Sequence, residues 1–557
     1  MSLSEEMSEV DLLLVGATLA DGTGAPLRAG TVGVDDGRVV LLLRPDAPEP
    51  PARERIDLTG LVLAPGFVDI HSHADFSLWG SPAATTVLTQ GVTTLVSGNC
   101  GWSPFPHDGG PDLPSASSFF SPEVPWDATG PGSFARTVQE RGTGVGLALQ
   151  VGHSALRLAA VGPNDRPATV SEIDVMRGLL ADAAAQGARG YSTGLTYAPC
   201  SFATTQELVA VAEVAAELGL TYSTHVRNEA GSLLEAVDEA LAITRATGVR
   251  TQISHLKALG AANHGRVHEA IALIEAAVDE GFDVGFDVYP YTASSTTLTS
   301  RLPAWAMAAG VDGLLEILSD DRRRSELSDQ LDAGAQPLFE PDRLVVAAVG
   351  GRDAAGGDQG PAGVVGRSLS DVARDRGTTP GRAAAELLRR GSGAVTVVAH
   401  AMAEADVEAV LTHPLCAVAS DGWVLRARGA GHPHPRNFGT FPRVLGRYVR
   451  ERGLLDLPEA VRRMTSLPAS RFALADRGVL GVGARADLVA FDPRTIADRS
   501  TFEEPWELSD GVEHVWVGGR PAVVGGRVTD SRHGTVITDR PPRPTASDHV
   551  PTSRRNR

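Results

Sequence analysis

Lysine is almost missing from this chain: among 50 basic side chains in 557 residues, Lys257 is the only one that is not arginine. Cysteine is nearly as scarce. Three cysteines (Cys100, Cys200, Cys416) cannot form a disulfide framework in so long a chain and fit a reducing compartment. No apolar run reaches the roughly 18 residues of a membrane span, and the acidic start MSLSEEMSEVD lacks the basic and apolar regions of a secretory signal. Positive charge is in deficit as well. A formal net charge of −18 argues against nonspecific binding to nucleic acid or to an anionic membrane. These absences predict a cytoplasmic protein without nucleic-acid or membrane partners, in which any functional cysteine is a ligand or a nucleophile; they leave the oligomeric state open.

Turns, by contrast, are plentiful, with 61 Gly and 36 Pro spread over the chain without a repeat. Residues 11 to 64 alternate β-rich runs with Gly/Asp turns (DLLLVGATLADGTG, GTVGVDDGRVVLLL), which read as antiparallel hairpins. A similar texture returns after about residue 478 (GVLGVGARADLVAFDP, GVEHVWVGGRPAVVGGRVT). One small β-sandwich built from both chain ends, 1–64 and 476–535, is expected. Residues 536–557 have the polar, Pro-rich composition of a disordered tail.

Between the two ends the period changes. Short apolar runs that finish in polar residues alternate with alanine-rich helical stretches such as TQELVAVAEVAAELG and GSLLEAVDEALAITRATG. Near-continuous apolar runs suit parallel strands buried on both faces, and βα repetition over 65–475 predicts a (β/α)8 barrel. Nine runs qualify: GFVDIHSH, TTLVSGNC, LALQVGH, ARGYSTG, LTYSTHV, RTQISHL, FDVGFDVYPY, VTVVAH and CAVASDG. At least one therefore lies outside the barrel. The charged and Gly-rich stretch of about 300–390 (SDDRRRSELSDQ, GGRDAAGGDQG) reads as an inserted lobe or lid and as the home of the excess.

Metal-competent side chains fall at the ends of these strands: His71 and His73, Cys100, His225, His255 and Asp421. In a parallel barrel such ends converge on one face, where barrel active sites are built. His71 and His73, two apart on an extended strand, point to the same side. A lone strand-end histidine is usually a hydrogen-bonded structural residue and a lone cysteine is usually core. The conjunction is what points to a metal site. The other histidines keep the structural reading, with His153 and His434 as candidate supporting groups. Cys416, at the start of a buried strand, reads as core.

On these residues the chain resembles the amidohydrolase superfamily, barrel metal hydrolases with a His-x-His on the first strand, later histidine ligands and a late catalytic aspartate. Most two-metal members bridge their ions with a carbamylated lysine between the His-x-His pair and the next histidine. Here no lysine lies there, and Cys100 in SGNCGWSP is the available substitute, since a thiolate can bind or bridge zinc. That departure narrows the resemblance to the N-acyl-D-amino-acid deacylases, or D-aminoacylases, on GFVDIHSHAD, GVTTLVSGNCGWSP, GYSTGLTYAP, THVRNE, ISHLKALG, DVYPYTASST, ASDG, HPRNFGTFPRVLG and MTSLPASRF. The resemblance implies a tightly bound zinc on Cys100, His225 and His255, a weaker second site at His71 and His73, and proton transfer by Asp421. It also implies that the substrate is a small N-acyl amino acid and that its D configuration is preferred. Cys200 stands where that family usually has glycine, and it reads as a free thiol or, alternatively, a second metal ligand.

Substrate recognition needs a cation for the α-carboxylate. Lys257 lies two residues beyond His255, so ammonium and metal ligand face one pocket, and a compact point charge suits a narrow site better than a guanidinium fork. The resemblance agrees and adds Tyr289; Arg301 and Arg436 are further candidates for the carboxylate or an acidic side chain. Two other readings are a cyclic amide or imide hydrolase of the dihydropyrimidinase type, against which the missing bridging lysine argues, and a non-catalytic scaffold of the same fold.

Overall fold

A computed structural model describes residues 8–120, 123–350 and 363–539. Its centre is a run of eight parallel strands: β1 (Phe67–Asp69), β2 (Val92–Ser97), β3 (Gly146–Gly152), β4 (Gly190–Gly194), β5 (Thr221–His225), β6 (Thr251–Ile253), β7 (Val284–Val288) and β8 (Cys416–Val418). Each pairs with the next in chain order. The ring closes where the Asp421 N–H donates to the His71 carbonyl at 2.8 Å and Ser72 bridges Gly422. The expected (β/α)8 barrel is therefore present. Every strand residue from β1 to β8 is buried, which is why the runs look apolar or β-branched throughout rather than alternating.

The helices between strands begin and end on signals visible in the sequence. Thr169 caps Val170–Ala185 in a reciprocal capping box: the Thr169 N–H donates to Glu172 at 2.7 Å while the Glu172 N–H donates back to the Thr169 hydroxyl. Leu233–Thr247 stops at Gly248, whose φ of 68° is the left-handed conformation that glycine adopts without a Cβ clash.

Both chain ends meet in one nine-stranded sheet. Val62–Pro65 pairs antiparallel with Leu488–Phe491, joining the two halves over a core that includes Leu14, Val32, Leu63, Leu488 and Trp516. One detail differs from a set of hairpins: Val10–Leu19 pairs parallel with both Ala52–Asp57 and Val62–Pro65. The chain leaves the first hairpin and returns alongside, so not every neighbour is a turn away.

The ninth run, VTVVAH, forms the middle strand (Val395–Ala399) of a separate three-stranded antiparallel sheet, between Ser294–Thr297 and Leu344–Val349. It carries a helical layer and its own core, with Leu314, Leu327, Leu369, Leu387 and Val397. The lobe thus spans more of the chain than 300–390 at both ends. Val395–Ala399 reads like a barrel strand because it too is buried along its whole length. Most of GGRDAAGGDQG lies outside the described residues.

The floor of the barrel is sealed by the C-terminal segment. Val536 bridges Leu147, the Ile537 N–H donates to the Leu147 carbonyl at 2.7 Å, and Ile537 packs in the cluster of Val68, Val96, Ala148, Ala417 and Phe472. The segment expected as a tail from 536 is therefore paired at its first residues; Val536 and Ile537 are apolar, and the polar composition begins only beyond them. Residues 540–557 lie outside the described residues. Among the described residues, no helix is long and apolar enough to cross a membrane. Ile537→Ala, at the end of the barrel away from the catalytic face, is expected to lower stability by about 2 kcal/mol; an unchanged urea midpoint would show that the floor does not depend on this plug.

Candidate metal centre and active site

The strand ends deliver the chemistry. Cys100, His255 and Asp421 each follow a barrel strand and each sits at positive φ, 53°, 36° and 49°. For residues with a Cβ this conformation costs on the order of 1–3 kcal/mol, a cost found mostly at functional sites. The two glycines around Cys100 fit the same tight passage. A Cβ on Gly98 would lie 2.3 Å from the Gln150 carbonyl of β3, and one on Gly101 would lie 2.7 Å from the Gly194 nitrogen of β4. SGNCG is thus a turn pressed against two neighbouring strands, and it aims the thiol inward.

Cys100 is the hub. Its Sγ lies 3.3 Å from His71 Nε2, 3.5 Å from His255 Nε2 and 3.7 Å from His225 Nδ1. Asp421 Oδ1 is 3.4 Å from His71 Nε2 and 3.1 Å from His73 Nε2, while Asp421 Oδ2 is 2.8 Å from Arg436 Nη1, an ion pair off the line of an N–H hydrogen bond. Donor atoms of His71, Cys100, His255 and Asp421 all lie within 4.8 Å of one another, as do those of His225, Glu229 and His255. All six residues that the sequence marks as metal-competent are thereby brought together in one buried cluster.

Electrostatics follow from that crowding. Burial pushes the Cys100 thiol up, but the surrounding imidazoles of His71, His225 and His255 outweigh it and hold the thiol well below its usual range. Burial likewise opposes ionisation of Asp421, yet Arg436, then His73, keep its carboxyl well below the ordinary carboxylate value. Burial lowers His225, but the Glu229 charge and the thiol raise it to about 9. Anionic sulfur and carboxylates are here balanced by imidazoles drawn toward protonation, which is the place a divalent cation takes. A thiolate, several imidazoles and a carboxylate are a donor set suited to zinc.

Two carboxylates stand behind the histidines, and neither was among the residues singled out from the sequence. Glu229 directs Oε2 at His225 Nε2 (3.4 Å) and Oε1 at His255 Nδ1 (3.2 Å). Asp287 accepts from the His255 backbone N–H at 2.8 Å and lies 3.5 Å from His71 Nδ1. Carboxylates in this position fix the ring orientation and tautomer of ligating histidines. Glu229 could have been found: in THVRNE it comes four residues after His225. Asp287, an acid inside the otherwise apolar run FDVGFDV, is the other legible signal.

Lys257 lines the cavity, and its ammonium donates to Glu229 Oε1 and to the His255 carbonyl at 3.0 Å and lies 2.7 Å from His255 Nδ1. A lysine this buried needs a counter-charge, and Glu229 is within reach. Tyr289 lies between two cations, with Lys257 Nζ 5.5 Å and the Arg436 guanidinium 4.8 Å from its ring centroid. Arg301 comes from the inserted lobe and lines the same cavity of about 950 Å³. It is 8% exposed, its Nε is without a hydrogen-bond partner, and it has no carboxylate within ion-pair distance among the described residues. Burial pulls its guanidinium below the usual range.

Of the candidate supporting groups, His434 accepts from the Arg436 N–H at 3.0 Å and so helps place the partner of Asp421. His153 instead belongs to a separate buried network with Glu207 (2.8 Å) and Tyr191 (2.7 Å). Cys200 accepts from the Gly194 N–H at 3.4 Å outside the metal-competent cluster, and burial pushes its thiol up to about 12. Burial raises Cys416 too. After chelation of any bound metal, iodoacetamide at neutral pH is therefore expected to label Cys100 and to spare Cys200 and Cys416. Equal labelling of all three by peptide mass spectrometry would contradict this electrostatic picture.

Comparison with known proteins agrees with this geometry. The amidohydrolase family model matches residues 54–357 and 416–523, leaving out most of the inserted lobe's second half. A D-aminoacylase of Alcaligenes xylosoxydans xylosoxydans is 36% identical over 536 residues, 95% of this chain and 97% of the relative. An N-acyl-D-glutamate deacylase of the same organism is 37% identical over 511 residues, 92% and 93% of the two chains. The solved N-acyl-D-glutamate deacylase of Bordetella bronchiseptica, complexed with zinc and a phosphonate mimic of the tetrahedral intermediate, superimposes with a TM-score of 0.80 at 34% identity, covering 96% of this chain and all of its own. With fold, strand-end residues and near full-length similarity in agreement, the chain belongs to the amidohydrolase family and, within it, to the D-aminoacylases.

Proposed function

We propose that the chain is a zinc-dependent amidohydrolase that cleaves N-acyl-D-amino acids to a carboxylate and a free D-amino acid. The observation that carries this reading is the Cys100 thiol set 3.3–3.7 Å from ring nitrogens of His71, His225 and His255, in a chain whose one lysine pairs with Glu229. Cys100, His225 and His255 would hold the tightly bound zinc, with His71 and His73 at a weaker second site. When bound, zinc supplies a Lewis acid that acidifies water and polarises the amide carbonyl.

The rest is done by the chain. Asp421 starts as a carboxylate, held ionised by Arg436, and so begins as a proton acceptor. It takes a proton from the attacking water as the C–O bond forms. It then returns that proton to the amide nitrogen as the C–N bond breaks, the role of a general base that becomes a general acid. Arg301, which has no carboxylate within ion-pair distance among the described residues, would bring its positive charge to the substrate carboxylate, with Tyr289 beside it, whereas Lys257 shares its charge with Glu229. Arg436 serves Asp421 directly. The chain's free cysteines suit the cytoplasm.

A panel of N-acetyl D- and L-amino acids and hydantoin, assayed with zinc, tests the reading. Turnover of D substrates is expected, with Cys100→Ala losing both tightly bound zinc and activity. Hydantoin turnover without deacylation would favour the cyclic amide reading, and full zinc retention in Cys100→Ala would remove the assigned ligand set.

A further inference from the structure

The cavity has two unlike walls. Arg301 from the lobe and Lys257 after β6, the latter paired with Glu229, put the positive charge on one side, beside Tyr289 after β7. On the arc of β8, β1 and β2 the wall is aromatic. Phe120 lies 5.5 Å from the His73 ring and 4.9 Å from Trp423, Phe119 lies tilted against Phe120 at 4.2 Å, and Trp102 meets Phe119 at 5.8 Å. Trp102, Phe119, Phe120 and Trp423 all face the cavity that also holds Cys100 and Asp421. Phe76 stacks behind Phe120 at 4.1 Å, so the wall is backed by packed side chains.

An N-acyl amino acid also has two unlike ends, joined by the amide that reacts. Its carboxylate must lie toward the cations, and the side chain shares a carbon with the carboxylate. The acyl group then extends from the carbonyl in the other direction, past His73. The cavity is about 950 Å³, at the upper end of the roughly 300–1,000 Å³ typical of ligand pockets, and an acetyl group would leave the part of it beside these aromatic side chains unfilled. Resting on the deacylase reading, we propose that this wall is an acyl-group site and that the enzyme takes N-acyl-D-amino acids whose acyl group is aromatic or comparably large and apolar.

The test compares kcat/KM for the N-phenylacetyl and N-acetyl derivatives of one D-amino acid with the zinc-loaded full chain. The phenylacetyl substrate is expected to be favoured by about tenfold or more, the discrimination available from apolar contact. Phe120→Ala and, separately, Trp423→Leu are each expected to bring that ratio down by about tenfold. Because the ratio is taken within one preparation, loss of folded enzyme cancels, and the second variant stands if the first does not fold. Hydrolysis of the acetyl but not the phenylacetyl substrate would overturn the acyl site and leave the deacylase reading intact. So would a ratio unmoved in both variants, or a change in side-chain preference instead. Hydrolysis of neither substrate would overturn the deacylase reading itself.

Discussion

Glu229 presents one carboxylate oxygen to His225 and the other to His255 and Lys257. Burial alone would push this carboxyl up, but the charges of His225 and Lys257 hold it well below the usual range. An acid with so little access to water is tolerated only when its partners are close and correctly placed, and the same condition fixes the partners. Two histidine rings are oriented toward Cys100 by one anion, and the chain's single lysine balances it. Arginine would fit this place poorly, since its planar fork spreads charge over a wider span than one carboxylate oxygen and one carbonyl. The rarity of lysine in the chain thus has a local counterpart: the one that remains balances the carboxylate behind His225 and His255.

The barrel was legible because its physics is repetitive. Parallel strands buried on both faces leave apolar runs, and strand ends that finish in His, Cys or Asp announce the catalytic face. The conjunction of His71, His73, Cys100, His225, His255 and Asp421 was readable for that reason. Val395–Ala399 could not be assigned by the same signal, because a strand in the middle of the lobe sheet is as buried as one in the barrel. Val536 and Ile537 were hidden by the polar residues after them, and only pairing with Leu147 reveals their place.

What the sequence could not supply was partnership. Lys257 lies beside His255, yet nothing in ISHLKALG says that Glu229, 28 residues earlier, would take its charge. Arg301 was one of two candidate arginines, and only the fold shows it buried in the cavity with no carboxylate within ion-pair distance among the described residues. Burial turns an ordinary surface residue into a specific one, and burial depends on the lobe that the chain inserts between β7 and β8. The same lobe helps wall the cavity, so substrate selection and lobe packing are physically one problem.

Because Glu229 holds both histidines and the lysine, the zinc affinity of Glu229→Gln is the most direct measurement of this account. Glutamine keeps the shape and removes the charge. Competition with a chromophoric chelator is expected to show zinc bound about 10–100-fold more weakly than in the parent protein, with the fold retained by circular dichroism. Unaltered zinc affinity in a folded Glu229→Gln protein would contradict the claim that this buried carboxylate organises the site.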